Sequence, residues 1–116
     1  MKITKKEAYN LAAKYTFRTQ WSADDEVHIS RCLEFPSLAT HGKTPEDALK
    51  KIQFVVAESI RWMSEKEEEI PEPLGVKKFS GKYPLRLTPE LHRELAMRAA
   101  EQKVSLNQYI QTKLAS

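Results

Sequence analysis

From Thr44 onward, Leu49, Ile52, Val56, Ile60 and Met63 recur every three or four positions with charged residues between them. That period marks one face of a helix. Thr44 suits the N-cap, Pro45 the first helical position, and Glu46 and Asp47 the positive end of the dipole. The pattern predicts a helix reaching about Glu69. Upstream the period shortens to two. Tyr15-Thr16-Phe17-Arg18-Thr19-Gln20-Trp21 alternates aromatic with polar, and Val27-His28-Ile29-Ser30-Arg31 alternates apolar with polar. The polar stretch Ser22–Glu26 between them predicts a hairpin whose apolar face packs on the helix. Leu33–Gly42, turned by Pro36, leads to a third short strand. The weakly amphipathic stretch Lys5–Lys14, with Ala8, Leu11 and Ala12, predicts one short helix at the start.

A different pattern closes the chain. In Lys82–Leu87, Tyr83, Leu85 and Leu87 fall on one side of a strand and Lys82, Pro84 and Arg86 on the other. Thr88 and Pro89 then open a helix to about Gln102 with Leu91, Leu95 and Ala99 on one stripe. A turn follows at Lys103, where a left-handed backbone is expected and a non-glycine residue costs roughly 1 kcal/mol. Ser105-Leu106-Asn107-Gln108 fits a capping box, and Leu106, Ile110 and Leu114 form the last stripe. One strand and two short helices cannot close a core, and a lone strand leaves its backbone groups unpaired, so this segment is expected to dimerise through its strand.

This layout resembles the ribbon-helix-helix family of DNA-binding proteins. The resemblance implies that Lys82, Pro84 and Arg86 face base edges in a major groove, and that Ser105, Leu106 and Asn107 present a helix N-terminus to a phosphate. Charge agrees: residues 76–116 carry eight Lys and Arg against three Glu, and residues 1–75 carry eleven against thirteen acids. A basic tail joined to a mildly acidic front suits a nucleic-acid binder with a separate protein-binding part. Between them, Glu65–Glu69 is acidic and Ile70-Pro71-Glu72-Pro73-Leu74-Gly75 stops a helix. The expected division is a front domain over residues 1–70, a linker over 71–78 and a tail domain over 79–116.

Leu33-Glu34-Phe35-Pro36, Gly42-Lys43-Thr44-Pro45-Glu46-Asp47-Ala48 and Ile70-Pro71-Glu72-Pro73 are similar to segments of the HicB antitoxin family. That resemblance implies an α+β chain with a partial ribonuclease-H-like front domain and a DNA-binding tail. It also implies a type II toxin–antitoxin role: the front binds and inhibits a small HicA-like mRNA-cleaving toxin, and the tail represses the operon by binding operator DNA. The hairpin tip departs from many relatives, with Asp24-Asp25-Glu26 where glycines are common and Ser37-Leu38 after the Phe-Pro pair. Asp24, Asp25, Glu26 and Glu34 are the hypothetical anionic contacts for a basic toxin. A homodimer or a larger even-numbered oligomer is expected. The other reading of the same residues is a stand-alone ribbon-helix-helix transcriptional regulator with no toxin partner.

Enzymatic readings have less to stand on. A ribonuclease-H-like nuclease would need carboxylates such as Asp24, Glu34 and Asp47 around two divalent ions, yet Asp24 reads as a turn residue and Asp47 as a helix start. His28, Cys32 and His41 could share a metal, but a half-buried strand surface explains the first two. His92 lies on the polar side of its helix. We therefore expect no catalytic residues, no metal and no cofactor. The one cysteine excludes an internal disulfide and suits a cytoplasmic protein. The opening residues are too short and charged for a signal or membrane segment, and six prolines against three glycines leave little room for long flexible tails.

Overall fold

The computed structural model describes residues 2–116, and the chain divides between Lys78 and Phe79 into two compact units. The first holds α1 (Lys5–Ala12), β1 (Phe17–Ser22), β2 (Val27–Cys32), β3 (Phe35–Gly42) and α2 (Pro45–Glu65); the second holds α3 (Pro89–Glu101) and α4 (Leu106–Ala115). The architecture is α+β, with a three-stranded antiparallel sheet in the order β1-β2-β3.

In the first unit α2 lies across one face of the sheet and α1 packs on α2. The α2 stripe supplies the centre of the core: Ile52, Val56 and Ile60 are fully buried. At roughly 1.5–3 kcal/mol each, they outweigh the Thr44 cap, worth about 1 kcal/mol. Ala8, Ala12, Tyr15 and Cys32 complete the buried cluster, and Ile3, Leu11, Phe17, Phe35, Leu38, Leu49 and Ile70 pack around it. Thr44 Oγ1 accepts the Asp47 N–H at 3.1 Å. The strand and the helix start come very close here: a Cβ on Gly42 would stand 2.6 Å from the Ala48 nitrogen. At α1, Thr4 and Glu7 form a full capping box.

α2 ends at Glu65 and not near Glu69. Glu67 takes a left-handed backbone at φ 58°, and the Glu67 and Glu68 N–H groups donate back to the Ser64 and Met63 carbonyls at 3.2 and 2.9 Å. This is a Schellman closure with glutamate where glycine is usual.

Register places the strands differently from the simple alternation. Phe17, Thr19 and Trp21 of β1 stand opposite Cys32, Ser30 and His28 of β2, and directly opposed residues share a face. Ser30 and Cys32 are buried toward α2. Val27 and Ile29, which the pattern sends to the helix, therefore lie on the other face. Ser30 tolerates burial because its hydroxyl bonds to Thr19 Oγ1 at 2.5 Å.

The segment expected as a linker is in large part held down. Ile70 packs on the core, the Tyr15 hydroxyl donates to the Pro71 carbonyl at 2.5 Å, and the Leu74 N–H donates to Glu34 Oε2 at 2.8 Å. Residues 70–74 thus form a strap on the first unit. In the second unit Thr88 caps α3 and Ser105 caps α4 through the Leu91 and Gln108 amides at 3.2 and 3.0 Å. Lys103 is left-handed at φ 58°, closing α3 with bonds from Lys103 and Val104 to Ala100 and Ala99. Ala99 and Tyr109 are the buried pair between the helices.

Candidate functional site

Residues 82–87 belong to no sheet within the chain. A strand exists only as a partner in a ladder, and the single chain supplies no second copy of this one. Its side chains remain outward: Tyr83 is 85% and Leu85 54% exposed, while Leu87, next to the α3 cap, is half-buried. Leu91 and Met97 on α3 and Leu114 on α4 add to this apolar surface. A two-helix unit that buries only Ala99 and Tyr109 while exposing these side chains has half a core.

Lys82, Pro84 and Arg86 are all exposed. At the α4 start Ser105 Oγ accepts the Gln108 N–H, while the Leu106 and Asn107 amides precede the helical ladder and have no intrahelical acceptor. Ser105 and Asn107 are exposed and Leu106 half-buried. Only the Ser105 half of the capping box forms. The stripe on α4 also missed its anchor: Tyr109 is buried and Leu114 is 78% exposed. Arg98 pairs with Glu94 at 2.6 Å. The Tyr109 hydroxyl, then the Glu94 charge, raise its pKa.

In the first unit Asp24, Asp25 and Glu26 form the exposed tip of the β1–β2 hairpin. Ser22 Oγ bonds Asp25 at both its amide and its carboxylate, each at 3.3 Å, and Glu26 closes the turn at φ 53°. Glu34 stands apart from them in role. Its carboxylate accepts the Thr16 N–H at 3.0 Å, the Thr16 hydroxyl at 3.1 Å, the Leu74 N–H and the Cys32 thiol at 3.5 Å. Burial pushes this carboxyl up, but donors led by the Leu74 and Thr16 amides more than offset it and hold it below the usual range. Glu34 is thus occupied in fastening the strap.

Asp24, Glu34 and Asp47 are not brought together: the first is at the hairpin tip, the second in the β2–β3 turn, where it holds the strap, and the third beside Lys51, 3.3 Å away, at the start of α2. Among the described residues no group of three or more His, Cys, Asp or Glu is placed to hold a metal. His41 pairs with Ile29 and so faces away from His28 and Cys32, which corrects the idea that the three could share one ion. His28 instead stacks edge-on against Trp21 at 5.0 Å. Tyr15, whose hydroxyl holds Pro71, has its pKa pushed up to about 12 by burial and by the Cys32 and Glu34 charges nearby. Its hydrogen-bonding role, like that of Glu34, has no signature in spacing. Among the described residues no helix is long and apolar enough to cross a membrane.

Comparison with curated proteins and with solved structures returns no match. A family model does match, over residues 64–114, from the last turn of α2 through the strap, the exposed segment 82–87 and both helices of the second unit. Over that stretch, which holds every residue of the half-core described above, the chain is similar to the HicB family.

Proposed function

We propose that this chain is the antitoxin of a HicAB-like toxin–antitoxin pair, neutralising a small HicA-like mRNA-cleaving toxin and repressing its own operon. The family match supports the toxin–antitoxin context. The observation that carries the DNA-binding part is the outward Tyr83 and Leu85 on a segment that also exposes Lys82 and Arg86. Pairing two such segments antiparallel buries the apolar side on α3 and α4 and leaves Lys82, Pro84 and Arg86 from both copies on one cationic ribbon. The ribbon enters a major groove of a palindromic operator, where Arg86 hydrogen-bonds guanine. The first turn of α4, with Ser105, Leu106 and Asn107, takes a flanking phosphate.

On the first unit a basic toxin meets the acidic tip Asp24-Asp25-Glu26. Glu34 contributes by holding the strap and not by direct contact. Co-expression with the product of the adjacent small reading frame tests the antitoxin role: growth rescue with a co-purifying complex is expected. A harmless neighbour that does not co-purify rejects the toxin partner and leaves a DNA-binding regulator. Replacing Arg86 with Ala tests base reading, with a loss of roughly 1–3 kcal/mol confined to the specific operator. Equal loss on scrambled DNA rejects it.

A further inference from the structure

The sheet has one face that α2 does not cover, and its composition is unusual for a surface in water. Register puts Arg18, Gln20 and Ser22 of β1, Val27, Ile29 and Arg31 of β2, and Ala39 and His41 of β3 on it. Because Ser30 and Cys32 take the inner side of β2, this strand turns its branched aliphatic residues outward. Antiparallel sheets commonly leave one face in water, and that face is then mostly polar; here it keeps two branched aliphatics, Val27 and Ile29, in its middle. A shallow concavity of about 430 Å³ is lined by Val27, Ile29, Ala39 and His41 together with Arg31 and Asp25.

Charge on this face is polarised along the strands. At one end Arg18 and Arg31 stand directly opposite each other, and among the described residues neither is in an ion pair. Like charges so placed repel. At the other end is the exposed acidic tip, Asp24-Asp25-Glu26. Ile29 sits midway, about 7 Å along β2 from both Arg31 and Val27. A two-fold axis near Ile29 would set the arginine end of one copy over the acidic tip of the other, twice at once, with Ile29, Val27 and Ala39 meeting in the middle. Few surfaces are their own complement in this way, and a surface that is can close an isologous pair.

We propose that two copies of the first unit pair face to face through this sheet surface, Arg18 and Arg31 of each against Asp24 and Asp25 of the other. Aligned sheet packing at about 10 Å accommodates such a contact. A nucleic-acid strand fits less well: Trp21 and His28 lie on the α2 side, which leaves the His41 imidazole as the one ring on this face among the described residues, and Asp25 in the concavity repels phosphate. On the toxin-binding proposal above, a basic toxin that takes the tip competes with the second copy. The pairing itself does not depend on that proposal.

Sedimentation equilibrium of the full chain at low and high salt tests it. The double variants Arg18→Glu/Arg31→Glu and Asp24→Arg/Asp25→Arg are each expected to halve the starting mass. Mixing them in equal amounts restores it, because a net-acidic face then meets a net-basic one. High salt lowers the starting mass in the same way. Ile29→Lys, which leaves every charged partner in place, also halves it and guards against misfolding in the charge variants; circular dichroism checks each fold. Carrying Tyr83→Lys in every chain removes strand pairing, so the starting mass is a dimer held by the sheet face alone and halving reads that face. The proposal is overturned if folded charge variants keep the starting mass, if the mixture stays at the halved mass, or if association appears only on adding an oligonucleotide.

Discussion

Gly42 offers a stringent check on how β3 meets α2. Replacing it with Ala puts a methyl 2.6 Å from the Ala48 backbone nitrogen and from Asp47 Oδ2, and 3.0 Å from Asp47 Cβ. The carboxylate can swing away. The Ala48 nitrogen cannot, because its N–H donates to the Thr44 carbonyl at 3.1 Å in the first turn of α2. Relieving the clash means moving β3 or opening that turn, and overpacking of this kind costs about 1–3 kcal/mol. Against it stands the lower entropy of an unfolded chain with Ala, worth about 0.4–1 kcal/mol. The expected net loss is about 1–2 kcal/mol, which for a unit of this size lowers Tm by about 5–15 °C. Both tryptophans, Trp21 and Trp62, lie in the first unit, so fluorescence follows its melting without signal from the second. A Tm equal to or above wild type would refute the close approach of Gly42 to the helix start.

Three further outcomes are expected. The Glu34 pKa is depressed in the folded state, so its contribution to holding the strap is present above the unfolded value and is lost as pH falls through the folded one. Acid should therefore speed proteolysis within residues 70–78, and Glu34→Gln should show fast cleavage already at neutral pH; protection equal to wild type there would free Glu34 of this role. Lys103→Gly relieves a left-handed non-glycine residue and should stabilise the second unit by up to about 1 kcal/mol, seen as a raised helical melting transition. Tyr83→Lys places charge on the apolar side of the ribbon and should abolish operator binding while leaving tryptophan fluorescence unchanged; retained binding would argue against strand pairing.

What the sequence made legible was mostly local. Thr44, Thr88 and Ser105 cap helices because capping needs only a hydroxyl and an amide a few residues away. The α2 stripe was equally plain, since five apolar residues at helical spacing leave one solution. The left-handed turn at Lys103 is expected from the inter-helix turn, where glycine is normal, and the backbone takes it at φ 58°. β2 was not legible in the same way. Val27 and Ile29 outweigh Ser30 and Cys32 in hydrophobicity, yet the hairpin register places the smaller pair under α2, where bulk from Ile52, Val56 and Ile60 already fills the space. On α4 the spacing points to Leu106, Ile110 and Leu114, yet Tyr109 is the buried residue, because which side of α4 meets α3 is decided by packing between helices. The strap was hidden for a related reason: Pro71 and Leu74 are held through backbone atoms by Tyr15 and Glu34, and backbone partners leave no trace in residue identity.

The burial of Cys32 gives the first unit an internal clock. Its side chain is 1% exposed, and burial, which outweighs the opposing backbone donors of Glu34 and Phe35, pushes the thiol up to about 11. At neutral pH only roughly one thiol in ten thousand is ionised. A thiol reagent therefore reacts only when the sheet parts from α2, and the rate of labelling reads the frequency of that opening. As the one cysteine in the chain, it reports from a single place without any engineered probe. Slower labelling on adding a partner would measure, in the same tube, how firmly that partner clamps the front unit shut.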